Sequence, residues 1–106
     1  MTKKLVIITE KLIIDEVIGI IEELGATGFT VLPAGGKGRR GERSEDRAHL
    51  VEEFGNVQIE VITGEAAART IADRVGTTYF HRYSGMAYMA DVEVLQPAMV
   101  SSNLGS

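Results

Sequence analysis

The periodicity of the chain switches in a fixed order, and that order restricts the fold more tightly than composition does. Leu5-Val6-Ile7-Ile8-Thr9 is a β-branched apolar run, the pattern of a strand buried on both faces. From about Lys11 to Leu24 the spacing becomes helical through Ile13, Val17, Ile20, Ile21 and Leu24, and Gly25 stands where a C′ glycine closes a helix. Phe29-Thr30-Val31-Leu32 predicts a second strand, stopped by Pro33. Val57 to Ile62 alternates strictly and sets Val57, Ile59 and Val61 on one face. Ala66 to about Tyr83 returns to helical spacing through Ala67, Ile71, Val75 and Tyr79, weakened by Gly76. Gly85 then releases a fourth strand, Met86 to Leu95. The order is βαββαβ: an α+β, ferredoxin-like, four-stranded antiparallel sheet with two helices on one face.

Two helices cover one face of such a sheet, yet apolar residues fall on both faces of several strands. Val6 and Ile8 oppose Leu5 and Ile7, and Tyr88 and Val92 oppose Ala87 and Met89. A monomer would leave the second face in water, so several copies of the chain are expected to associate. At 106 residues the chain is one domain, which association would help to stabilise. Tyr79, Phe80, Tyr83 and Tyr88 are read as packing residues, with Tyr88 in the core.

The absence of cysteine excludes disulfides, thiolate catalysis and Cys-ligated zinc. His49 and His81 lie far apart with no second ligand at metal-binding spacing, so no metal site is expected. The first apolar run is too short to span a membrane and lacks a signal-peptide pattern, which predicts a cytoplasmic protein.

Between the second and third strands, residues 35–55 show no period and are rich in glycine and charge. The length of this segment marks it as a loop with a task. Its first half, Gly35-Gly36-Lys37-Gly38-Arg39-Arg40-Gly41-Glu42-Arg43-Ser44, has the chemistry of a phosphate cradle. Glycines allow successive N–H groups to turn toward one anion, and guanidinium forks match phosphate oxygens. It is not a Walker A motif, because glycine follows Lys37 and strands flank the loop. A solvated loop of mixed charge explains the same composition. A nucleic-acid surface is disfavoured by the net charge of −4 and by Glu42, Glu45, Asp46, Glu52 and Glu53 interleaved with the cations. Base stacking of the RNA-recognition type is excluded by a third strand without aromatics. A nucleotide-hydrolysing enzyme could use Arg39, Arg40 and Arg43, but it would also need a metal-holding carboxylate, and no motif provides one.

Several separated segments carry a resemblance. Lys4 to Lys11, Gly28-Phe29-Thr30-Val31, Gly35-Gly36-Lys37-Gly38, Ile71 to Val75 and Tyr79-Phe80 together resemble the PII-like signalling proteins linked to inorganic carbon, the SbtB-type and carboxysome-associated proteins. The likeness runs from about Lys3 to Leu95. It implies a homotrimer of ferredoxin-like domains spanning residues 1–96, with a T-loop at about 35–55 and a flexible tail at 97–106. It implies an adenine nucleotide in each cleft between subunits. Thr30 and an Ile62-Thr63-Gly64 turn would line adenine and ribose; Gly36, Lys37, Gly38, Arg40 and Arg43 would hold phosphates; and Gly85 would lie in a shortened B-loop across the cleft. No cofactor is implied beyond regulatory ADP or AMP, with bicarbonate as a candidate co-ligand. A bicarbonate transporter or another carbon-concentrating protein is the implied partner, holding the chain at the periphery of the inner membrane.

Departures from the PII pattern sharpen these expectations. Met86 replaces the lysine that follows the B-loop glycine, and Gln96-Pro97-Ala98-Met99 offers no arginine after the last strand. Fewer cations favour ADP or AMP over ATP and leave no support for 2-oxoglutarate. The loop has no tyrosine for uridylylation, and the C-terminal cysteine motif of SbtB proteins is missing, which brings the carboxysome-associated branch nearer.

Overall fold

The computed structural model describes residues 2–26, 28–35 and 55–96. Strand β1 (Thr2–Glu10) passes through one 3-10 turn, Lys11–Ile13, into helix α1 (Ile14–Glu23). Strands β2 (Thr30–Ala34) and β3 (Asn56–Gly64) follow, then helix α2 (Glu65–Tyr79) and strand β4 (Gly85–Asp91). The sheet order is β2-β3-β1-β4 and every pairing is antiparallel. This is the ferredoxin-like arrangement that the periodicity predicts.

Leu5, Ile7, Val57, Ile59 and Val61 point from the sheet into one buried cluster with Val17, Ile20 and Ile21 of α1 and Ala68, Ile71 and Val75 of α2. Each such aliphatic side chain contributes about 1.5–3 kcal/mol by leaving water, so this layer dominates the stability of the chain. Helix α1 closes as expected. Gly25 adopts φ 94°, its N–H bonds to the Glu22 carbonyl at 3.1 Å, and the Ala26 N–H reaches the Ile21 carbonyl at 3.2 Å. That pair of bonds is the Schellman pattern, which satisfies carbonyls the helix leaves open.

Several sequence expectations are corrected, among them the end of the fourth strand, which is Asp91 rather than Leu95. Pro33 does not stop β2 but lies inside it, opposite Val57, because β2 is an edge strand and its outward side needs no N–H donor. Ile62-Thr63-Gly64 is not a turn: these residues end β3, pair with Lys4, Lys3 and Thr2, and run directly into α2 at Glu65. Helix α2 ends at Tyr79 rather than Tyr83, since the Arg82 and Tyr83 N–H groups both bond to the Tyr79 carbonyl and turn the chain toward β4. Tyr88 is not core. The alternation of β4 places Ala87 and Met89 against the helices, so Tyr88 points to the opposite face and is 46% exposed.

That opposite face is apolar in its middle and on its flanks. Val6 is fully buried between its neighbours Glu60 and Tyr88, while Leu32, Ile62, Met86 and Tyr88 on the same face are exposed. A Lys4–Glu60 ion pair at 3.9 Å and a Gln58–Glu60 hydrogen bond at 2.8 Å lie among them.

Candidate functional site

The antiparallel register sorts the candidate residues to opposite ends of the sheet. At one end Ala34 pairs with Asn56, so Gly35 and Gly55, the last described residues on either side of 36–54, emerge side by side. The Lys11 N–H donates to the Gly55 carbonyl at 3.0 Å, tying the start of the first helical turn to that stem. Gly85 lies at the same end, paired with Thr9, and is the first residue of β4 rather than part of a loop. Its lack of a side chain is required, because a Cβ there would stand 2.1 Å from Phe80 Cε1. Met86 follows on the apolar face, 55% exposed.

Thr30 pairs with Glu60 at mid-sheet, level with Val6, while Ile62, Thr63 and Gly64 complete β3 at the far end. Thr30 and Ile62 share the helix-free face and are exposed; Thr63 is on the other face, half-buried, and paired with Lys3. Here Lys3 makes an ion pair with Asp91 and approaches Glu65 at 3.8 Å, and Arg69 Nε donates to Glu65 at 3.0 Å. The hydrogen bond to Asp91 raises the Lys3 pKa above its ordinary value, helped by the charges of Asp91 and Glu65 and opposed by burial. The hydrogen bond from Arg69 holds the Glu65 carboxyl below its usual range, with the Lys3 charge acting in the same direction.

The structure therefore brings Ile62, Thr63 and Gly64 to one end and Gly85 to the other, with Thr30 midway between those levels. Six strand residues separate the level of Gly85 from that of Thr63, about 20 Å along the sheet, and no side chain closes that gap. The five loop candidates, Gly36, Lys37, Gly38, Arg40 and Arg43, lie outside the described residues, as do His49 and the tail at 97–106. A groove of about 760 Å³ runs between α2 and the free edge of β4, with Ala68, Ala72 and Met89 in its walls and Arg69 and Asp73 among its polar residues. None of the candidate residues lines it. Among the described residues no three of His, Cys, Asp or Glu converge to hold a metal ion, and no helix is long and apolar enough to cross a membrane.

The sequence reading gave no role to Thr9, Glu10 or Ser84, which join β1 to the start of β4. Thr9 is the one buried polar residue among those described, and its hydroxyl donates to the Ser84 carbonyl at 2.8 Å. The Ser84 N–H donates to Glu10 Oε2 at 2.6 Å. A threonine closing an otherwise aliphatic run was the available signal, since a buried hydroxyl needs a partner.

The family model for nitrogen regulatory protein P-II matches residues 2–99. The chain belongs to the P-II family. Among solved structures it is similar to a PII-like signaling protein from Thermus thermophilus, at 30% identity and a TM-score of 0.69, with 86% of this chain and 85% of that one covered. It also shares the fold of CPII, a nitrogen regulatory PII-like protein from Thiomonas intermedia solved with ADP, AMP and bicarbonate. There the identity is 21% and the TM-score 0.72, over 88% of this chain and 93% of that one. A DUF3240 family protein from Shewanella baltica has the same fold at 18% identity and a TM-score of 0.65, over 94% and 97% of the two chains.

Proposed function

We propose that this P-II family member is a regulatory protein that binds ADP or AMP in clefts between the subunits of a homotrimer. The observation that carries the reading is the family match across nearly the whole chain, joined to the presence of ADP, AMP and bicarbonate in CPII, which has the same fold. The separation of the candidate residues supports the shared cleft. If Thr30 and Ile62 to Gly64 line adenine and ribose while Gly85 borders the phosphates, the Ile62–Gly64 end of one sheet meets the Gly85 end most directly across two chains. The apolar helix-free face offers the surface for that association.

In this reading Gly36, Lys37, Gly38, Arg40 and Arg43 hold the phosphates, and Met86 removes a cation that a third phosphate would use. Residues 35–55 act as the output element, a T-loop, that nucleotide and bicarbonate bias toward one partner-binding state. A ligand does this only through its different affinities for the two states, and two or three charge-assisted contacts supply a few kcal/mol. The output fits inorganic-carbon control in the cytoplasm, with a bicarbonate transporter as partner and residues 97–106 as a tail outside the domain.

Calorimetry against AMP, ADP and ATP, with and without bicarbonate, tests the reading. ADP or AMP should bind at least as tightly as ATP. Arg40→Ala and Arg43→Ala should each weaken ADP binding by about 1.5–3 kcal/mol. Wild-type affinity in both variants would show that the phosphates lie elsewhere, and no heat with any nucleotide would end the proposal.

A further inference from the structure

Ser84, the residue just before β4, is held by side chains at both of its backbone groups. Its N–H goes to the Glu10 carboxylate at 2.6 Å and its carbonyl accepts from the Thr9 hydroxyl at 2.8 Å, so side chains of β1 take both of its backbone groups. The next residue, Gly85, pairs with Thr9, and the Phe80 ring fills the space where a Cβ would be. The residue that follows β1, Lys11, donates its N–H to Gly55. Three consecutive residues thus fasten two separate segments at one end of the sheet.

We infer that Thr9 and Glu10 are positioning residues for phosphate binding, forming a clasp that presets the Ser84–Gly85 backbone beside the nucleotide. The inference rests on the proposed nucleotide site, in which Gly85 borders the phosphates. Glycine backbone contributes to anion binding only where it is held in place; a loose turn would have to be ordered by the ligand, at the expense of affinity. The chemistry of the clasp matches that need. A charge-assisted bond from an N–H to a carboxylate is stronger than a neutral one, and a buried hydroxyl aimed at a carbonyl leaves that carbonyl unsatisfied when it is removed.

A clasp that only stabilised the fold would affect all ligands equally, whereas one that presets the phosphate side would not. The experiment is calorimetry of wild type, Glu10→Ala, Glu10→Gln and Thr9→Val with adenosine and with ADP, alongside thermal midpoints. Glu10→Ala should bind ADP about tenfold more weakly while adenosine affinity changes less than about twofold. Glu10→Gln, which keeps an acceptor oxygen, should recover most of the loss, and Thr9→Val should shift the ADP to adenosine ratio in the same direction as Glu10→Ala. Should Glu10→Ala not fold, the other two variants carry the same comparison. An unchanged ratio in the folded variants, whatever happens to their thermal midpoints, overturns the clasp while leaving nucleotide binding in place. Absence of ADP binding to wild type defeats the nucleotide reading itself and the clasp with it.

Discussion

Gly85 shows how one residue type can be forced by a neighbour rather than by backbone angle. Its φ is not positive, so the demand comes from the Phe80 ring, with three ring atoms 2.1–2.6 Å from where a Cβ would be built. Gly85→Ala should destabilise the fold by about 1–3 kcal/mol, read from the urea midpoint, because the ring must leave its half-buried position. Adding Phe80→Leu should recover part of that loss. A Gly85→Ala midpoint equal to wild type would mean the ring moves freely. At the opposite end of the sheet the Lys3, Glu65, Arg69 and Asp91 group sets a pH dependence with a definite sign. The carboxyl of Glu65 is held below its usual range, so its contribution is present above the unfolded carboxylate range and is lost as pH falls through the folded value. The stability deficit of Glu65→Gln relative to wild type should therefore shrink in thermal melts taken from about pH 5 downward. Lys3 is raised, so its contribution is present at and below its ordinary range and is lost only as pH rises through the still higher folded value. A Lys3→Met deficit that shrank between neutral pH and about pH 9 would contradict this assignment.

At the level of elements, legibility followed period and failed at boundaries. Helix α1 and strand β3 could be read because most of their apolar residues serve a single face: of the residues singled out, Ile13, Val17, Ile20, Ile21, Val57, Ile59 and Val61 are buried and Leu24 is half-buried against them. Gly25 was legible as a stop because only a residue tolerant of positive φ suits C′. Since a Cβ at Gly25 would meet nothing within 4 Å, Gly25→Ala isolates the backbone cost, expected at about 1–2 kcal/mol in the urea midpoint with an unchanged slope. No change would show that the helix end relaxes into another cap. Tyr88 was misread because β4 is apolar on both faces and local sequence does not say which face the helices cover. The overextension of α2 has a similar origin: Tyr79, Phe80 and Tyr83 continue a helical spacing, but the chain must turn so that Ser84 can meet Thr9 and Glu10. Those two partners lie more than 70 residues away in sequence, at separations of 75 and 74, so no local pattern could announce them. Of the candidate site, residue types were legible and their relative placement was not. Strand register alone shows that Gly85 and Thr63 occupy opposite ends.

That separation makes assembly and ligand binding one question for the whole molecule. If each nucleotide takes its phosphate contacts from one chain and its adenine and ribose contacts from another, a chain damaged at only one end should still lend its intact end to a neighbour. Arg40→Ala/Arg43→Ala damages the proposed phosphate side, and Thr30→Arg places a bulky cation on the proposed adenine side at an exposed strand position. Each variant alone should form trimers by light scattering and bind ADP poorly. Mixed and allowed to exchange subunits, the two should regain binding in about one quarter of the clefts, the fraction in which an intact phosphate end from one parent meets an intact adenine end from the other. The restored sites should have wild-type affinity, since nothing in them is altered; weak binding spread over all clefts would be a different outcome and would not count as complementation. Tyr88→Glu supplies the control on assembly. A carboxylate in the apolar helix-free face should yield monomers that keep the wild-type far-UV circular dichroism but bind ADP no better than the damaged parents. If mixed trimers recover no sites although mass spectrometry shows that subunits have exchanged, the nucleotide lies within a single chain and the shared cleft is wrong.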